Sequence, residues 1–249
     1  MAATKTAAPD DVAAAVAPQA VDAARAWTAY QPDDQRPWDL RRTAHLVRGA
    51  AFGGTWGELQ QALKDGPAGV IERLVRPPGD ASAFQKSYDG YDRAAGSSGA
   101  DDGARAWWLR RMIETPHPLL EKMTLFWHSH FGISRARVVE GTMMASLVHL
   151  LRRHALGSYA EMLAAALREP ALVRGLDADG NRRGLPNSNL ARQLLAQYGP
   201  GTGEFDEQDV RETTRSLTGW LMLRSDLRFV DREFDTGAKR ILGQAGNWN

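Results

Sequence analysis

The chain has 249 residues, enough for one large domain or two small ones burying roughly 70–75% of the surface that the unfolded chain exposes. Its 31 basic and 30 acidic residues leave a formal net charge of +1, which argues against a nucleic-acid-binding surface driven by bulk charge. A hydrophobic fraction of 43% excludes a wholly disordered chain. The lack of cysteine excludes disulfides, a thiolate nucleophile and cysteine-ligated metals.

The chain is predicted to consist of an Ala-rich N-terminal arm, residues 1–36, and a single helical domain over residues 37–249. The arm lacks the basic start, unbroken apolar segment and cleavage pattern of a signal peptide, so the cellular compartment stays open. No stretch reaches the length of about 18 uninterrupted apolar residues that a membrane-spanning helix needs. Residues 79–103 are rich in Gly, Ser and Asp and are predicted to form a flexible linker.

Capping residues, prolines and glycines divide the domain into helices. Thr55 and Ser158 each precede a glutamate by three residues, as in a capping box, and Pro67 suits the first turn of a helix. A short hairpin is predicted near residues 221–230. The fold class is therefore mainly α, a multi-helix domain with bundle-like orthogonal packing. The predicted helices cover about residues 38–49, 55–64, 67–76, 104–114, 118–131, 142–156, 158–169, 189–198 and 207–220.

The predicted helix over residues 118–131 carries two histidines, which helical periodicity assigns to opposite sides. His130 falls at the centre of the apolar arc, and we expect its ring to face the core. His128 falls on the same side as Glu121, and we expect its ring to face solvent. The arc around His130 contains Leu119, Met123, Phe126 and Trp127.

The predicted helix over residues 142–156 repeats this arrangement, with His154 at the centre of its apolar arc. Core histidines usually form hydrogen bonds, and this is the simplest interpretation of His130 and His154. Because side chains two residues apart diverge on a helix, His128 and His130 are not expected to ligate one metal ion.

Other motifs give no sign of a cofactor or metal. The motifs for phosphate loops, dinucleotide folds, nucleophile elbows and zinc proteases are missing, so we predict no cofactor and no metal ion. Residues 177–181 (DADGN) resemble the start of a calcium loop, but Arg182 and Ser188 occupy the positions that require Gly and Glu, so a polar turn is expected. The arginine pairs at residues 110–111 and 152–153 are interpreted as a solvated surface.

Several motifs in a fixed order resemble one known family. They are residues 44–53 (AHLVRGAAFG), 106–112 (AWWLRRM), 118–131 (PLLEKMTLFWHSHF), 151–157 (LRRHALG), 184–194 (GLPNSNLARQL), 207–211 (EQDVR) and 217–220 (LTGW). From Trp38 to its C-terminus the chain resembles the bacterial family called domain of unknown function 1800 (DUF1800). The resemblance implies a mainly helical protein with no established activity, whose relatives are often exported and often encoded beside a second uncharacterised exported family.

The chain departs from the family pattern in two ways. Relatives carry glutamates where this sequence has Ser188 and Gln193, so any acid/base or cation-binding role of those carboxylates would be lost here. Relatives also continue beyond the position of Asn249. The resemblance therefore indicates a C-terminally truncated member, whose domain a protein partner would complete.

Three functions stay open. The preferred hypothesis is a non-catalytic binding or scaffolding protein acting with a partner, because no catalytic constellation is recognisable. The alternative is a hydrolase or transferase with a polar cleft built from His128, Asn187 and Arg192. A decayed fragment without function is the third.

In the enzyme hypothesis His128 is the general base, Arg192 binds an anionic group, and Glu121 is a further catalytic candidate. The candidate binding residues are Asn187, Asn189, Arg192, His130 and His154.

Overall fold

The structure is a computed structural model of the chain, and it describes residues 27–79, 81–88, 101–199, 201 and 203–248. The chain divides into two units, residues 1–38 and 39–249. Most of the predicted Ala-rich arm lies outside the described residues, and so does much of the predicted linker over residues 79–103. The described part of the arm, residues 27–36, forms turns and bends and contains no helix.

The second unit is mainly α-helical in its described residues, as predicted. An additional helical segment covers residues 82–88. The helices are α1 (Leu40–Ala50), α2 (Trp56–Val75), α3 (Asp101–Glu114), α4 (Pro118–Phe131), α5 (Gly141–His154), α6 (Tyr159–Ala166), α7 (Pro170–Gly175), α8 (Asn189–Gln193) and α9 (Glu207–Ser216).

Two short antiparallel hairpins follow the helices. The first pairs β1 (Trp220–Leu223) with β2 (Asp226–Phe229), which confirms the predicted hairpin. The second pairs β3 (Lys239–Ile241) with β4 (Gln244–Gly246) and was not predicted, because three-residue strands give no periodic signal.

Local signals at the ends of α2 and α4 account for their boundaries. The Thr55 hydroxyl accepts a bond from the Glu58 amide, and the Glu58 carboxylate accepts one from the Thr55 amide, which completes the predicted capping box. Gly66, with φ of 71°, kinks α2 directly before Pro67. Pro118 begins α4, and the left-handed Gly132 ends it.

Two predicted helices end earlier than expected. Helix α6 ends at Ala166, and α7 forms a separate short helix that begins at Pro170. Helix α9 ends at Ser216 rather than near Trp220, which instead begins β1.

A wide turn continues α8. Residues Leu194–Tyr198 form a π-helical turn in which backbone hydrogen bonds span five residues rather than four. The backbone of Gly199 passes so close that a Cβ there would lie 2.8 Å from the Leu194 carbonyl oxygen. A glycine is therefore needed where this turn ends.

The main hydrophobic core lies between α4, α5, α6 and α7. Its fully buried members include Leu147, Leu151, Met162, Ala166 and Leu172. None of the helices in the described part of the chain combines the length and apolar character that crossing a membrane requires.

Candidate functional site

Helix α4 is most deeply buried on the side that was predicted to face solvent, while Trp127 and His130 of the predicted apolar arc are partly buried. Glu121 and Thr124 are completely buried, whereas Phe126 is 53% exposed. The helix therefore turns its carboxylate side toward the protein interior, and the expectation that this side faces solvent was wrong.

Two arginines from neighbouring helices explain why Glu121 is buried. Its Oε1 atom accepts hydrogen bonds from Nε of Arg111 on α3 at 2.8 Å and from Nε of Arg152 on α5 at 2.5 Å. Gln85 Oε1 accepts further bonds from both guanidinium groups. Charge pairing and hydrogen bonding together offset the cost of removing these ions from water.

Aromatic rings enclose the buried guanidinium of Arg111. Its Cζ atom lies 5.2 Å from the ring centre of Phe84, 5.3 Å from that of Tyr88 and 5.8 Å from that of Trp107. These cation–π contacts stabilise a charge that is only 1% exposed. The interpretation of Arg111 and Arg152 as solvated was therefore wrong, because their charge partner lies on α4, far away in sequence.

His128 is half-buried against α3 and does not project into solvent as expected. Its ring meets the edge of Trp108 at 5.1 Å between centres. Burial lowers the pKa of His128, because the charged imidazolium loses hydration there. His128 therefore packs inside the fold rather than lining an open polar cleft.

His130 belongs to a chain of hydrogen bonds that joins α4, α6 and the π-helical turn. The Tyr159 hydroxyl donates to the Tyr198 carbonyl at 2.9 Å, so it accepts from Nε2 of His130 at 3.2 Å. The Tyr159 ring also stacks on Trp127 at 5.3 Å. These contacts give His130 a structural role as a hydrogen-bonded, partly buried histidine.

His154 is the last residue of α5 and is half-buried. Among the described residues its side chain has no hydrogen bond, ion pair or ring contact. The structure therefore does not bring His154 together with His130 or His128.

Asn187 and Asn189 hold a polar turn closed. Nδ2 of Asn187 lies 2.6 Å from the carbonyl oxygen of Asp177, and Nδ2 of Asn189 lies 3.2 Å from the same atom. The backbone N–H of Asn187 donates to Oδ1 of the buried Asn181 at 3.0 Å. Asp177, with φ of 53°, is in the left-handed region, so these bonds stabilise a strained turn.

Arg192 forms a bidentate ion pair with Glu207. Both N–O distances are 2.8 Å, and the two side chains are 51% and 65% exposed. Hydrogen bonds from Arg192 lower the pKa of Glu207. His128, Asn187 and Arg192 thus have separate sets of contacts, and none of the three bonds to another.

A concave site lies elsewhere, between α6, α7, α8 and β1, beside the end of α9. It is a cavity of about 220 Å³, open to solvent beside Ala164 and Arg168. The Arg168 guanidinium lies 5.7 Å from the ring centre of Trp220. The remaining lining residues are mostly apolar: Leu167, Val173, Ala178, Asn181, Leu190 and Leu217.

Sequence patterns did not point to this cavity. Arg168 lies beyond the end of α6, and Trp220 was assigned to the end of a helix rather than to the start of β1. The pair is separated by 52 positions, so no local motif joins them. Nothing in the sequence around Arg168, two residues before Pro170, distinguishes it from the other arginines of the chain.

Among the described residues, no group of three or more His, Cys, Asp or Glu side chains has an arrangement that could hold a metal ion. Structurally the chain is a mainly helical protein with a buried ion network and an apolar cavity. Its residues 45–249 match the family described as "Protein of unknown function (DUF1800)", and the chain belongs to that family. No curated protein and no solved structure matches the chain.

Proposed function

We propose that this chain is a non-catalytic binding or scaffolding protein that acts with a protein partner. The proposal rests on the observation that candidate catalytic side chains already form ion pairs with other side chains of the same protein. Glu121 is buried between two arginines, and Arg192 is paired with Glu207. A general acid, base or anion-binding group has to reach the reacting molecule, which these contacts oppose.

The candidate binding residues are also engaged within the fold, so the binding surface has to lie elsewhere. Asn187 and Asn189 direct their amide groups to the Asp177 carbonyl, and His130 is bonded to Tyr159. Their hydrogen bonds stabilise turns and helix contacts. The cavity beside Arg168 instead offers apolar surface and a cation to a ligand, as small-molecule and peptide sites do.

Binding and turnover should be measured on the same samples. The protein is titrated calorimetrically with small carboxylic acids and short peptides, and each mixture is then analysed by mass spectrometry for converted product. We expect saturable binding with every compound recovered unchanged.

The enzyme hypothesis makes the opposite prediction. Conversion of a compound by the wild-type chain, abolished by both His128→Ala and Arg192→Ala, would contradict the proposed function. Thermal melting of both variants establishes that they are folded. Glu72→Gln is the control, since Glu72 lies in an exposed i,i+4 pair with Arg76 and should leave any conversion unchanged.

A further inference from the structure

We infer that the cavity between α6, α7, α8 and β1 binds a carboxylate attached to one compact apolar group. Arg168 pairs with the carboxylate, and the apolar walls enclose the remainder. This inference rests on the proposed binding function and adds the site and the chemical class of its ligand.

The charge of Arg168 is available for a ligand. Its Nη1 atom donates to the Ala164 carbonyl at 3.3 Å, and its guanidinium lies over Trp220. Within the described part of the chain it forms no ion pair. The neighbouring Glu169 is buried and forms no ion pair with Arg168.

The contact with Trp220 is a cation–π contact, with 5.7 Å between Arg168 Cζ and the ring centre. The guanidinium is a planar group whose N–H donors form a fork along its edge. That edge matches the two oxygens of a carboxylate, which it binds through two parallel hydrogen bonds. Lysine would offer the charge without this geometry.

The size of the cavity limits the apolar group. Benzene fits an apolar cavity of about 150 Å³, and this cavity is about 220 Å³. A phenyl ring or a branched chain of similar size therefore fits. Val173, Ala178 and Leu190 are buried around it and would contact such a group.

The one polar side chain in the buried part of the cavity is already engaged. Nδ2 of Asn181 donates to the Thr214 carbonyl at 2.9 Å, and its Oδ1 accepts from the backbone N–H of Asn187 at 3.0 Å. Among the described residues that line the cavity, Arg168 is thus the single charged side chain. A ligand with one carboxylate satisfies the site, whereas a sugar would leave its hydroxyl groups without partners.

Two sources supply this chemistry: a free organic acid, or the C-terminal residue of a partner protein. The free-acid arm of the experiment uses phenylacetate and 4-methylpentanoate, with phenylacetamide and 4-methylpentanamide as matched neutral compounds. The peptide arm uses six-residue peptides ending in Phe or Leu, each with a free carboxylate or a C-terminal amide. Binding is measured by titration calorimetry.

Two substitutions test the site itself. Arg168→Gln removes the charge, and Ala164→Phe fills the solvent-exposed opening without altering a buried position. We expect each to weaken carboxylate binding by roughly tenfold or more. The amides should bind weakly, and Arg168→Gln should leave their affinity unchanged. Arg153→Gln, at an exposed arginine of α5, should bind like the wild type.

The outcomes separate the inference from the proposed function. Binding in either arm that depends on Arg168 and Ala164 supports the inference and identifies the source. Carboxylate binding that both substitutions leave unchanged overturns the inference while the proposed function stands. A lack of binding in both arms also overturns the inference, whereas chemical conversion of a bound acid overturns the proposed function.

Discussion

The Nε atom of Arg111 lies 2.8 Å from Oε1 of Glu121, and the two side chains are 1% and 0% exposed. The same oxygen accepts the bond from Arg152, so one carboxylate connects α3, α4 and α5. Such a buried network is stable only as a complete set, because removal of one member leaves an uncompensated charge away from water.

We predict that Glu121→Gln lowers the free energy of unfolding by about 3–5 kcal/mol, since both buried guanidinium groups lose their counter-charge. Urea denaturation at pH 7 measures the loss. The control is Glu72→Gln, which removes the exposed pair with Arg76 and should cost less than about 1 kcal/mol. Equal losses in the two variants would contradict a buried ionic role for Glu121.

The Tyr159 hydroxyl gives a second prediction. Tyr159→Phe keeps the stacking on Trp127 but removes the bonds to His130 and to the Tyr198 carbonyl. Because both partners are partly buried, we expect a loss of about 1–3 kcal/mol in denaturant unfolding. Tyr30→Phe removes an exposed hydroxyl bond to the Arg36 carbonyl and should change stability by well under half of that amount. A larger effect at Tyr30 would be evidence against the prediction.

The kink in α2 predicts opposite effects at two glycines. At Gly66, φ is 71° and no atom lies within 4 Å of an added Cβ, so Gly66→Ala should destabilise by about 1–2 kcal/mol through backbone strain alone. Gly57, also in α2, has similarly open space and no positive φ. Gly57→Ala should therefore stabilise by about 0.5–1 kcal/mol. Thermal melting of both variants measures these changes in stability. If Gly66→Ala raised the melting temperature and Gly57→Ala lowered it, Gly66 would not be the residue that fixes the kink.

The Arg215–Asp235 pair predicts a loss of stability in acid. Hydrogen bonds from Arg215 lower the pKa of Asp235 from 3.8 to about 2. Because the folded pKa is the lower one, the stabilisation is complete above about pH 4 and is lost as the pH falls toward 2. It amounts to about 2 kcal/mol at neutral pH and about half of that at pH 3.

Urea unfolding of the wild type and of Asp235→Asn at pH 7 and pH 3 measures this dependence. The difference between the two proteins should shrink at pH 3. The exposed Asp226, paired with Arg228, provides the control Asp226→Asn, for which the difference should be small at both pH values. A constant difference for Asp235 would indicate that its ionisation does not stabilise the fold.

Local sequence signals predicted the helices well where they are punctuated by capping residues. Pro118 and Gly132 set the ends of α4, and Thr55 begins α2. These residues act through their own backbone geometry, which does not depend on the remainder of the fold.

The orientation of α4 could not be predicted in the same way. A charged residue is normally assigned to solvent, and Glu121 was placed there with His128. Its burial depends on Arg111 and Arg152, which lie 10 and 31 positions away in sequence. Periodicity describes one helix at a time, so a charge pair formed between helices reverses the assignment.

The same reason explains why the candidate cleft was not assembled. Asn187 and Arg192 belong to one short segment, but their partners, Asp177 and Glu207, lie on either side of it. The cavity beside Arg168 likewise depends on a tryptophan from a later hairpin. Tertiary contacts decide which polar residues are free for a ligand.

The π-helical turn at residues 194–198 makes this part of the fold sensitive to insertions and deletions. Two successive side chains, Gln197 and Tyr198, reach the successive carbonyls of His130 and Phe131. Deleting a single amino acid from the turn would rotate the following side chains by about 100° and separate both pairs. The register of these contacts therefore depends on how many residues the turn contains as well as on which residues they are.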